Sequence, residues 1–118
     1  MDYSVETTLS STNYGFALVI GGTESNDGHY FIRTGTYHQG AKETVIAETS
    51  ETTQHGATYS KNSDLPVKME YVNGTAKLYI DNTLYQTGTP SFYPKYLKLW
   101  AWHSQKTITY STIKIKSL

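Results

Sequence analysis

Two runs of strict alternation, joined by a dipeptide suited to a tight turn, constrain this chain more than any other feature. In residues 65–73, Leu65, Val67, Met69 and Tyr71 fall on one side of an extended chain. Asn73-Gly74 follows, and a type I′ turn needs positive φ at both of its central positions. The return run, residues 75–81, sets Ala76, Leu78 and Ile80 on the same kind of inner face. Asn82-Thr83 then turns the chain into Leu84-Tyr85, and Pro66 sits at a strand start, where its missing N–H is tolerated. A period of two with one apolar side predicts consecutive antiparallel strands over a core.

The rest of the chain reads the same way. Residues 2–10 alternate, with Tyr3, Val5, Thr7 and Leu9 on one side. Residues 14–20 are almost continuously apolar, which predicts a strand buried on both faces or central to a sheet. Further strands are expected at 29–34, 44–47, 95–103 and 106–117, with a weak edge strand near Ala57 and Tyr59. Segment 36–40 is ambiguous, and 48–64 is the most loop-like region. Eighteen threonines and eleven tyrosines suit a pleated, half-buried surface, and no stretch holds a 3.6-residue apolar period. About nine strands with short turns and no crossover helix mean an all-β antiparallel sandwich or barrel.

Several classes of partner are excluded on composition. There is no cysteine, so neither disulfides nor thiolate metal sites hold the chain together. Ten basic and ten acidic side chains cancel, which argues against a binder driven by nucleic-acid phosphates. The charge is uneven: residues 1–64 sum to −5 and residues 65–118 to +5, so early and late strands attract weakly if they lie side by side. No apolar run is long enough to span a bilayer, and Met1 leads into polar Asp2 with no signal segment in view. Residues 1–118 read as one β-sandwich module, expected to belong to a larger protein.

Residues 66–85, from Pro66 through Asn73-Gly74 to Tyr79-Ile80-Asp81-Asn82, resemble the central hairpin of concanavalin A-like lectin/glucanase and laminin-G-like domains. The closing run Tyr110-Ser111-Thr112-Ile113-Lys114-Ile115 is similar to the last strand of such domains, which returns beside the first. Asn82 stands where the family pattern has a second glycine; asparagine still tolerates the left-handed turn. The resemblance implies a jelly roll of two curved antiparallel sheets. Its members include lectins, carbohydrate-binding modules, glucanases and adhesion domains, and fold alone does not choose among them.

The densest functional signal is Tyr96-Leu97-Lys98-Leu99-Trp100-Ala101-Trp102-His103. Alternation separates Leu97, Leu99, Ala101 and His103 from Tyr96, Lys98, Trp100 and Trp102. Lysine is rarely buried unpaired, so the lysine row is expected outside and the leucine row inside. That would put two indoles about 7 Å apart on the surface, and exposed aromatic surface of this kind marks an interaction site. The alternative, both tryptophans packed and Lys98 snorkelling to water, stays open. Tyr79 shares a row with Lys77 and Asp81 and is expected outward; Arg33, the only arginine, is a candidate clamp for a carboxylate or sugar diol. The expected ligand-binding set is Trp100, Trp102, Tyr79, Lys98 and Arg33.

Other chemistry is poorly served. His29, His38, His55 and His103 show no metal-ligand spacing. Asp27, Asp64 and Asp81 sit at turns without an Asp-x-Asp-x-Asp loop, so no cofactor is expected, and a calcium built from separate loops is the one alternative left. Asn73-Gly74-Thr75 matches a glycosylation acceptor, yet the turn explains the same residues. A glucanase of this fold needs paired carboxylates on alternate residues of one strand; Glu48 and Glu51 are loop-like and Glu70 stands alone. The expectation is a non-catalytic module that recognises a glycan by aromatic stacking, on a cell surface, a virion or outside the cell. The alternative is a structural or protein-interaction domain of a tail fibre or adhesin.

Overall fold

The computed structural model describes residues 1–11, 16–23, 30–35, 43–48, 53–58, 64–101 and 108–118. The chain is all-β, an antiparallel sandwich of two sheets. Its strands are β1 (Tyr3–Ser11), β2 (Phe16–Gly21), β3 (Phe31–Gly35), β4 (Glu43–Ala47), β5 (Thr53–Thr58), β6 (Leu65–Val72), β7 (Thr75–Ile80), β8 (Thr83–Gly88), β9 (Tyr96–Ala101), β10 (Ile108–Tyr110) and β11 (Lys114–Ser117). The first sheet runs β10-β1-β6-β7-β8, with β11 also on β1; the second runs β5-β4-β3-β2-β9. Segment 36–40 lies outside the described residues.

The alternating runs become strands because one pleat face of each is drawn into the sandwich. In β6, Leu65, Val67, Met69 and Tyr71 are buried while Pro66, Lys68 and Glu70 are half-exposed. From the other sheet, Leu18, Ile20, Ile32 and Ile46 complete the core. Asn73 and Gly74 both take positive φ, and so do Asp81 and Asn82, which makes the β6–β7 and β7–β8 connections left-handed two-residue turns. Asp2 Oδ1 accepts the Asn73 N–H at 3.0 Å, tying the chain start to the first of these turns.

The continuous apolar run at β2 is buried on both faces, as its pattern predicted: Ala17, Leu18, Val19 and Ile20 are all closed to solvent. The last expected strand, 106–117, is instead two short ones. Ser111 interrupts the ladder: its N–H donates to Thr8 O, and its Oγ accepts the Thr8 N–H at 2.9 Å. Thr7 Oγ1 donates to the Ser111 carbonyl at 3.0 Å. Side-chain hydroxyls thus satisfy backbone groups that a continuous strand would pair. Both pieces still return beside β1.

The two open sides of the sandwich differ. On one, Thr44 Oγ1 donates to Gln86 Oε1 at 2.8 Å, both residues being buried, and Gly56 lets β5 approach so closely that a Cβ there would overlap Thr44 Oγ1. On the other, an apolar crevice of about 200 Å³ opens between β1 and β9, lined by Val5, Ile20, Tyr93 and Leu97 among others. Leu97 is 37% exposed and Ile115 66% exposed there, although both occupy inward-facing register positions opposite Ile20 and Val5.

Candidate functional site

Among the described residues β9 is an edge strand paired only with β2: Leu99 opposes Leu18, Leu97 opposes Ile20, Lys98 opposes Val19 and Trp100 opposes Ala17. Leu18 and Ile20 belong to the core, so the leucine row takes the inner face and the row of Lys98 the outer one. Leu99 packs on the core, whereas Leu97 overhangs the crevice, with no further strand of the described residues covering that edge. Lys98 is half-buried, and its Nζ reaches the Thr23 carbonyl at 3.5 Å. Tyr96 is half-buried, with the Lys95 ammonium 5.3 Å from its ring centroid. Trp100 has its backbone in β9; its side chain, and all of Trp102, lie outside the described residues.

Arg33 sits on the central strand β3 opposite Val19 and Val45, on the outer face of the second sheet. It is 5% exposed, and Ala17, Val19, Val45 and Ala47 around it are buried too. Arg33, the candidate clamp, is therefore a covered group at the middle of that face. The structure brings Arg33, Lys98 and the Trp100 backbone to one face of one sheet.

Tyr79 is not there. It lies on β7 of the first sheet, between buried Leu78 and Ile80, so it projects from the opposite face of the sandwich. It faces outward as expected, but its neighbours are charged. The Lys68 ammonium lies 4.5 Å from its ring centroid and 3.7 Å from Glu70 Oε1. The Tyr79 hydroxyl is held above the usual tyrosine pKa, mainly by its hydrogen bond to Glu70, then by burial and the Glu70 charge. It stays neutral and protonated.

Beside Tyr79 the outer face of the first sheet carries a groove of about 210 Å³, lined by Glu6, Lys68, Asn82, Thr112 and Lys114 among others. These residues escape sequence reading because they come from β1, β6, β11 and two turns. Only the register, which sets Lys114 against Glu6 and Glu6 against Lys68, assembles them.

The acids weighed for catalysis are committed elsewhere. Glu48 accepts the Ser91 N–H at 2.8 Å and the Ser91 hydroxyl as well, and Glu70 is paired as above. Glu51 lies outside the described residues. Asp64 and Asp81 occupy positive-φ turn positions; Asp27 falls outside, as do His29, His38 and His103, and His55 is described only through its backbone pairing with Val45. Among the described residues no group of three or more His, Asp or Glu is placed to hold a metal ion.

No protein-family model matches the sequence, and no curated protein does. Solved structures match over nearly the whole chain. The carbohydrate-binding module CBM66 from Bacillus subtilis superposes with a TM-score of 0.67 at 14% identity, over 98% of this chain and 75% of that one. A functionally unknown protein from Saccharomyces cerevisiae gives 0.64 at 11% identity, over 99% and 70%. CG-16, a homodimeric agglutinin from chicken liver, gives 0.63 at 11% identity, over 98% and 95%. At such identities the likeness establishes the architecture alone: this chain shares the β-sandwich fold of these structures.

Proposed function

We propose that this chain is a non-catalytic glycan-binding module that holds a saccharide on the outer face of the second sheet, at the β9 side. The observation that carries the reading is the sandwich it shares with a carbohydrate-binding module and an agglutinin. The residue chemistry supports it. In this reading Trp100 and Trp102 would supply aromatic surface for the C–H face of a pyranose, and Lys98, on β9 with the Trp100 backbone, would supply a donor for sugar hydroxyls. Arg33 acts from beneath, as a buried cation that holds the face in shape rather than as a direct contact. Tyr79 belongs to the opposite face and is no part of this platform. Neither calcium nor any other cofactor enters the reading. Glycans are met outside the cell, which is where such a module would work.

Affinity per site is expected to be weak, on the order of micromolar to millimolar, because an open face leaves much of the ligand hydrated. Copies in a multimeric parent would compensate by avidity. The test is a tryptophan-fluorescence titration against a glycan panel. A binding glycan should shift or quench the emission, and Trp100→Ala, checked for folding by circular dichroism, should weaken that glycan by about tenfold or more. A folded Trp100→Ala protein that binds as tightly as the parent would overturn the platform.

One observation favours a second reading, a structural or protein-interaction domain: the crevice beside β9 leaves Tyr93, Leu97 and Ile115 exposed. Sedimentation that depends on concentration, abolished by Leu97→Lys, would support it; no glycan response together with such association would replace the first reading.

A further inference from the structure

The groove on the outer face of the first sheet has a composition that the β9 platform does not use. Four side chains stand on one cross-strand row: Lys114 opposes Glu6, Glu6 opposes Lys68, and Lys68 opposes Tyr79. On the next row Lys116 opposes Ser4, Ser4 opposes Glu70, and Glu70 opposes Lys77. The two rows carry four lysines against two glutamates, so these rows are net positive although the whole chain is neutral. Lys77, Lys114 and Lys116 are exposed. Four of the seven lysines in residues 65–118 thus stand on two adjacent rows of one surface.

The groove is also partly preorganised. Lys68 is fixed between the Tyr79 ring, at 4.5 Å, and Glu70, at 3.7 Å. Ser111, at its wall, is tied to Thr7 and Thr8 by four hydrogen bonds. Side chains already held in place lose little freedom when a ligand arrives. The half-buried Tyr79 ring lines the groove and offers an aromatic surface for sugar C–H groups. The Asn82 amide and the Thr112 hydroxyl offer both donors and acceptors for sugar hydroxyls. Lys114 stands at the exposed end of the row with its ammonium available for a fixed negative charge. About 210 Å³ accommodates roughly one sugar ring rather than a large cofactor.

We propose that this groove is a second saccharide site, separate from the β9 face, which takes an anionic sugar residue: the ring lies along Tyr79 and its carboxylate or sulfate meets Lys114 and Lys68. The site stands whether or not the β9 face binds a glycan, because the two lie on opposite sides of the sandwich.

The test is titration of the whole chain with three probes at low salt: a galacturonate trisaccharide, a sulfated galactose trisaccharide and neutral galactotriose. Heat and backbone amide shifts are followed together. The anionic probes should bind at least about tenfold more tightly than the neutral one, more weakly as salt is raised, with shifts on β1, β6, β7 and β11. Uronate binding alone identifies the carboxylate as the recognised group; equal binding of both identifies the negative charge. Lys114→Gln, a change at an exposed position, should cost about tenfold, and Tyr79→Ala at least as much, while Tyr79→Phe keeps the ring and most of the affinity. Equal binding of neutral and anionic probes, full affinity in Lys114→Gln, shifts confined to β2 and β9, or no binding of any probe would each overturn the site.

Discussion

Tyr3 sits where the first sheet meets the chain leading into β9, and its surroundings set a pH response. Its ring lies 5.9 Å from that of Tyr71 and 6.2 Å from that of Tyr93, and its hydroxyl donates to the Pro94 carbonyl. Burial, then the neighbouring Tyr93 and Tyr71, push its pKa well above the usual tyrosine value. The unfolded chain therefore releases this proton at lower pH than the folded one. The associated stability is complete below about pH 10, the ordinary tyrosine pKa, and is lost as pH rises above it. Tyr3→Phe should cost about 1 kcal/mol at neutral pH through the lost hydrogen bond, and urea unfolding should show less alkaline destabilisation than in the parent. An equally steep alkaline fall in both proteins would count against Tyr3 as its source. Tyr79 shows the same direction of shift for a different first cause, its hydrogen bond to the Glu70 carboxylate, so a tyrosine of the inner row and one of the outer face owe their chemistry to different neighbours.

The hairpins are the elements most directly written in the residues. Asn73-Gly74 and Asp81-Asn82 all adopt left-handed φ, and nothing lies within 4 Å of where a Gly74 side chain would begin. The cost of a bulkier residue at these turns is thus backbone conformation rather than collision. Asn82→Val should destabilise the protein by about 1–2 kcal/mol, since a β-branched residue resists this region, while Asn82→Gly should be neutral or slightly stabilising. Thermal unfolding of the pair checks it; equal melting temperatures would deny that the turn strains its residue. The last strand shows the reverse situation. Residues 106–117 alternate well enough to read as one element, yet Ser111 and Thr7 redirect hydrogen bonds across the edge and split it. A hydroxyl's choice of partner depends on which strand lies beside it, and β1 is more than a hundred residues away in sequence.

At the scale of the whole molecule, the two sheets close on the β5–β8 side and stand open on the β9 side. This asymmetry divides apolar residues of similar pattern into two classes. Leu78 is fully buried in the core, and Leu78→Ala should cost about 2–5 kcal/mol. Ile115 holds an equivalent inward register position but overhangs the crevice, so Ile115→Thr should change stability by less than about 0.5 kcal/mol. Denaturant midpoints of the two variants decide it, and a large loss in Ile115→Thr would mean that the crevice is closed in solution. The two sheets also set the functional geography. They place Arg33 and Lys98 on one outer face and Tyr79 on the other, separating residues that alternation and side-chain chemistry had grouped as one set.

The antiparallel strands and the β6–β7 hairpin followed from local rules: a period of two wherever one face is buried, the Asn73-Gly74 turn, and a fully apolar run at the doubly covered β2; the second turn sits at Asp81-Asn82, one residue before the Asn82-Thr83 that the pattern suggested. These depend on residues within a few positions of each other, so they are legible along the chain. Which outer face a side chain joins, whether Arg33 is covered, and how Lys114, Glu6, Lys68 and Tyr79 come to share a row depend on pairing between strands far apart in sequence. That pairing minimises exposed apolar surface over the entire sandwich, a property of the assembled sheets that no short stretch of residues contains.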